Sequence, residues 1–128
     1  MPITLHIDHA KQRITGIGVG VVTVADMRGY VAERVRLGVY SYTQLIDMRD
    51  ATVDIPPGEN LFGVAMDARH ESRAGAIPRT AIVAREGTAT FGYARQLAVQ
   101  LGFGKANIEV FSDLQEGESW LAADHERV

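Results

Sequence analysis

The chain contains no cysteine among its 128 residues. It can therefore form no disulfide framework, thiolate metal site or thiol nucleophile. No apolar run approaches the ~20 residues needed to span a bilayer. The opening Met1-Pro2-Ile3-Thr4-Leu5-His6 lacks the basic-then-apolar order of a signal peptide. Positive excess is absent as well: 13 Lys and Arg stand against 16 Asp and Glu, a formal net charge of -3. Nucleic-acid binders concentrate positive charge against phosphates, so that class is set aside. What remains is ordinary for a globular chain, 46 % hydrophobic and 23 % charged. The length suits one domain over 1–128, able to bury roughly two thirds of its unfolded surface. The expectation is a single cytoplasmic domain without a transmembrane segment.

Periodicity supplies the elements. Thr4 to Asp8 and Arg13 to Val19 alternate with a period of two and predict an antiparallel hairpin. Thr23 with Asp26 has the spacing of a capping box, and Val24, Met27, Val31 and Val35 follow at helical spacing. That predicts a helix to Arg36, ended by Gly38. Tyr42 to Met48 reads as a strand that Asp50 to Val53 extends after a kink, until Asp54-Ile55-Pro56-Pro57-Gly58 breaks the chain. Leu61, Val64, Ala65 and Ala68 mark a second helix ending near His70, followed by a polar loop over 71–75. Thr80 to Ala84 has the unbroken apolar centre of a strand covered on both faces. Thr88 caps a third helix with the stripe Phe91, Ala94, Leu97, Ala98 and Leu101, stopped by Gly102. Asn107 to Phe111 is the last strand, and Ser112 or Asp113 caps a final helix with Leu114, Gly117 and Leu121 inward. The tail, 124–128, should fray. The order predicts a single α/β domain with a five-stranded, mostly parallel mixed sheet and about four helices.

Several residues could carry chemistry. Asp47, Arg49 and Asp50 fall at a strand's carboxyl end, where open α/β sheets put their ligands. The two carboxylates could share a cation, or one could act as a base with its pKa raised by the other. Arg49 between them equally suits a structural ion pair. Arg85-Glu86-Gly87-Thr88-Ala89-Thr90 joins a strand to a helix start, where free N–H groups, Thr88, Thr90 and Arg85 could hold an anion, or where Thr88 simply caps. Gly16-Ile17-Gly18-Val19-Gly20 fails the dinucleotide fingerprint because Val21 stands where the third glycine belongs. Close packing or a bulge explains these glycines better. The four histidines and the serines form neither a metal pattern nor a nucleophile elbow. Phe62 and Met66 lie i,i+4 beside the second helix's core stripe and widen its apolar face. They serve either a generous core or a partner-facing or lipid-facing patch.

Three segments carry a family resemblance: Leu45-Ile46-Asp47-Met48-Arg49-Asp50-Ala51; Arg79 to Ala84 running into Phe91-Gly92-Tyr93-Ala94-Arg95; and Ile108 to Leu114 closing with Ser119-Trp120-Leu121. In that order and spacing the chain resembles the SpoIIAA-like family, small bacterial proteins of the STAS-type fold, related in architecture to the lipid-binding SEC14 domain. The resemblance implies regulatory or ligand-binding duty rather than settled chemistry; no cofactor is expected. In the anti-sigma-factor antagonists a phosphorylatable Ser opens the helix after the Asp-bearing strand. Here Asp54-Ile55-Pro56-Pro57-Gly58-Glu59-Asn60 contains neither Ser nor Thr. The leading expectation is a non-enzymatic STAS-like module for a partner protein or a small apolar or anionic ligand. Its working edge would comprise Asp47 to Asp50, Pro57 to Phe62 with Met66, and Arg85 to Thr90. A SEC14-type lipid binder and a small enzyme with Asp47 or Asp50 as general base are the alternatives. Homodimerisation through a helix face is a further expectation.

Overall fold

Thr23 ends a strand and starts a helix, and the computed structural model, which describes residues 2–71, 78–102 and 107–125, shows both roles. Its hydroxyl accepts from the Asp26 amide at 3.1 Å, and the Asp26 carboxylate accepts from the Thr23 amide at 2.9 Å. Two donors that a helix start leaves open are thereby satisfied. Before this box lie β1 (Ile3–Asp8) and β2 (Arg13–Thr23), paired antiparallel. After it come α1 (Val24–Arg36), β3 (Thr43–Asp54), α2 (Phe62–Glu71), β4 (Thr80–Val83), α3 (Ala89–Gly102), β5 (Ile108–Phe111) and α4 (Leu114–His125). The α4 cap is Asp113, whose carboxylate accepts from the Gln115 amide at 3.2 Å. Most of the loop expected over 71–75 lies outside the described residues. Asp124 and His125 close α4, and 126–128 lie outside as well.

The strands run in the order β1-β2-β3-β4-β5, and every pair after the first is parallel. Each crossover thus steps one place in the same direction. Right-handed crossovers then put α1, α2 and α3 on one face, where α1 contacts α2 and α2 contacts α3. The last helix packs on the other face, against β3, β4 and β5. Gly117 permits its close approach, since a Cβ there would stand 3.2 Å from Val83 and 3.4 Å from Leu45. Two cores result. One lies under the three helices and contains Val22, Tyr30, Met48, Val53, Ile82 and Ile108. The smaller joins Leu45, Ala81, Val83 and Leu121 under α4. β4, sandwiched between them, is buried at all four positions. Each large side chain so covered contributes about 1.5–3 kcal/mol by leaving water.

The expected kink in β3 is a bulge. Ile17 pairs with Asp47 and Val19 with Asp50, so Met48 and Arg49 together oppose Gly18. Met48 and Ala51, three residues apart, consequently both face the helical layer. The glycines of β2 answer a packing demand. A Cβ on Gly16 would meet the Tyr30 ring at 2.9 Å, and one on Gly18 would meet the Met48 sulfur at 2.6 Å.

Candidate functional site

Two regions offer chemistry, at opposite ends of the sheet. The first is the carboxyl end of β3, where Asp47, Arg49, Asp50 and Arg85 come together. Asp47 and Arg49 lie two apart on one face of the strand. Arg49 donates from Nε and Nη2 to the two Asp47 oxygens, both at 2.9 Å, and its amide adds a bond at 3.1 Å. The Arg49 guanidinium beside it holds the Asp47 carboxyl below the usual carboxylate range. That is the wrong direction for a general base at neutral pH. Asp50 pairs with Arg85 at 3.1 Å, with side chains 69 % and 62 % exposed. Both open to water, they form a pair worth little energy. Among the described residues no three His, Asp or Glu stand close enough to hold a metal ion.

The turn after β4 has a structural task. Pairing of β3 with β4 stops at Asp47 and Val83, so the β3 edge beyond it lacks a neighbouring strand. Arg85 Nε donates to the Arg49 carbonyl at 2.9 Å. Thr90, buried, accepts from the Val53 amide and donates to the Ala51 carbonyl, each at 3.2 Å. These side chains replace the missing ladder and tie α3 to β3. Thr88 accepts from the Phe91 amide at 3.2 Å and caps α3. Pro57 is exposed in the loop before α2. Asn60, not a Ser, accepts from the Phe62 amide at 2.8 Å at the α2 start. Phe62 and Met66 are 59 % and 45 % exposed on α2, outside the core formed by Leu61, Val64 and Ala65. The residues named from sequence thus split into an ion-pair cluster, a set of backbone braces and an exposed apolar pair.

The second region is a chamber of about 100 Å³ inside the larger core, between the sheet and α1–α3. Ile46, Met48, Val53, Ile82 and Ile108 form its sheet wall, and Met27, Val31, Leu61, Val64, Leu97 and Leu101 its helical wall. Thr90, bonded to Ala51 and Val53, lines it near the carboxyl end of β3, whereas Tyr30, Arg34, Gln44 and Thr80 gather at the amino end of β3 and β4, away from the ion pairs. There Tyr30 donates to Gln44 Oε1 at 3.0 Å, Gln44 donates to Thr80 Oγ1 at 3.0 Å, and Thr80 donates to the Pro78 carbonyl at 2.8 Å. Burial pushes the Tyr30 phenol up to about 12, so it stays protonated and can donate. Arg34 completes this pole, 5 % exposed, with Nη2 donating to the Tyr40 carbonyl at 2.6 Å. Burial lowers its pKa, with Tyr30 opposing the shift.

Sequence reasoning missed this pole. Tyr30 and Arg34 lie i,i+4 on α1, each beside the Met27/Val31 stripe, and Gln44 and Thr80 are register partners at strand starts. A polar residue four positions from a tyrosine on an apolar helix face is the signal that was available. The rule placing ligands at strand carboxyl ends assumes helices on both sides of a switch in strand order. With β2 to β5 in sequential order and their crossovers on one face, no such crevice forms at the switch.

No protein-family model matches the sequence, and no curated protein matches it. Among solved structures, an uncharacterised protein of the DUF3478 family from Shewanella loihica PV-4, described as having a SpoIIAA-like fold, is similar over 93 % of each chain. The TM-score is 0.55 and the identity 18 %. That likeness is one of fold: the chain has the SpoIIAA-like α/β fold. Among the described residues no helix is long and apolar enough to cross a membrane.

Proposed function

We propose that this protein is a non-enzymatic binding module that takes a small apolar ligand into the chamber beneath α1, α2 and α3. The observation that carries the reading is the chamber itself, walled by aliphatic, methionine and aromatic side chains within the main core. A well-packed interior leaves few voids larger than a water molecule. A dry apolar cavity of ~150 Å³ is known to admit benzene, so a chamber of about 100 Å³ suits a ligand of that size or smaller. The enzyme reading has less support, because Asp47 is tied to Arg49 and Asp50 stands in open water. Absence of Ser and Thr from 54–60 likewise speaks against a phosphorylation switch at the α2 start. Phe62 and Met66, exposed on the helix that roofs the chamber, are available to a partner or a second copy of the chain.

The test is a titration with uncharged 1-hexanol, followed through methionine methyl resonances. Met27 and Met48 line the chamber, whereas Met66 does not. Saturable shifts at Met27 and Met48 without one at Met66 are expected, and Ala94→Leu, which fills the chamber, should abolish them. Linear, unsaturated shifts at all three methyls would end the proposal.

A further inference from the structure

The chamber holds one feature that an apolar ligand alone leaves unexplained, a buried cation without an anion. Arg34 lines it, is 5 % exposed, and among the described residues its guanidinium donates to the Tyr40 carbonyl. Its Nε is buried with no partner. Among the described residues no carboxylate pairs with it; its ring neighbour is Tyr30, with Arg34 Cζ 5.9 Å from the centroid. A guanidinium has five donors in a rigid fork, shaped for a carboxylate or phosphate. Buried charges are costly unless paired, and buried unpartnered donors are rare. The remaining polar groups of this pole do not compete for the fork, since Tyr30, Gln44 and Thr80 are engaged with one another and with Pro78.

We propose, resting on the chamber reading above, that the ligand is a small amphipathic monocarboxylate. Its carboxylate sits on Arg34 and its apolar body lies between the sheet and the three helices. Charge balance favours a carboxylate over a phosphate ester. Among the described residues Arg34 is the single charged one lining the chamber, so one negative charge is neutralised, whereas a phosphate dianion would bring a second, uncompensated one into an apolar space. Volume sets the body: at about 100 Å³, against ~150 Å³ for a cavity that admits benzene, the chamber calls for a short chain of roughly six carbons at most. The polar pole at the β3 and β4 starts and the apolar walls toward Val53 and Leu61 orient such a molecule head first.

Hexanoate and 1-hexanol, equal in chain length and different only in the head, are titrated into the whole protein by calorimetry at pH 7. Hexanoate should bind at least roughly tenfold more tightly, the difference a charge-assisted hydrogen bond typically confers. Arg34→Met should lose the preference for the acid, binding hexanoate no more tightly than 1-hexanol. Arg34→Lys, which retains the charge without the fork, should keep part of it; this variant also decides the matter if Arg34→Met does not fold. Equal affinities of the parent for the two probes would overturn the carboxylate assignment and leave the chamber reading standing. Failure of both probes to bind would overturn both.

Discussion

Gly16→Ala puts the tightest part of the main core under direct strain. The added methyl carbon would lie 2.9 Å from both Cε1 and the hydroxyl oxygen of Tyr30, and 3.0 Å from Cζ. Tyr30 is 7 % exposed and its hydroxyl donates to Gln44 at 3.0 Å, so the ring has little room to retreat without breaking that bond. Overpacking of this kind costs about 1–3 kcal/mol, and loss of a buried hydrogen bond costs about 1 kcal/mol more. Against this, alanine restricts the unfolded chain and returns ~0.4–1 kcal/mol. The net expectation is a destabilisation of about 2 kcal/mol, or roughly 8 °C in Tm for a domain of this size. Urea unfolding should show a lower midpoint with an unchanged slope. A double-mutant cycle sharpens the test. Tyr30→Phe removes one of the clashing atoms, so the Gly16→Ala/Tyr30→Phe double variant should lose less than the two single losses together, by about 0.5 kcal/mol or more. A Gly16→Ala protein with the parent's Tm would show that the Tyr30 ring yields freely, and the packing argument for these glycines would fail.

Thr90→Val keeps shape but removes the hydroxyl that braces the Val53 amide and Ala51 carbonyl; a loss of about 1–3 kcal/mol in urea unfolding is expected, with faster hydrogen exchange at Val53. Asp47 has its folded pKa depressed by Arg49, so its contribution is present above the usual carboxylate range and is lost as pH falls through the folded value. The difference in urea midpoint between the parent and Asp47→Asn should therefore be present at pH 7, within about 1 kcal/mol for this partly exposed pair, and vanish on acidification; a gap that widens in acid would refute the pairing. Phe62→Gln with Met66→Gln replaces two exposed side chains, so stability should change by less than about 0.5 kcal/mol per site. A scanning-calorimetry loss several times larger would mean that the pair belongs to the core.

Local and periodic information determined much of this protein. The hairpin, the capping box at Thr23 and Asp26, the Thr88 cap and the four buried residues of β4 follow from spacings that act over a few residues, so the sequence displays them. The Asp47–Arg49 pair belongs with them, being two positions apart on one strand. Tertiary structure decided what depends on residues distant in the chain. Thr90 looks like part of an anion-binding turn until β4 proves too short to cover the β3 edge, and then it is a brace. Arg34 drew no reading from spacing, and its place is set by Tyr30, Gln44 and Thr80, drawn from three elements, which close around the chamber it lines. A cavity is a property of surfaces that fail to meet, and no spacing along a chain encodes it. That is why the elements were readable from the residues, whereas the chamber and its buried cation emerged only once those elements were packed.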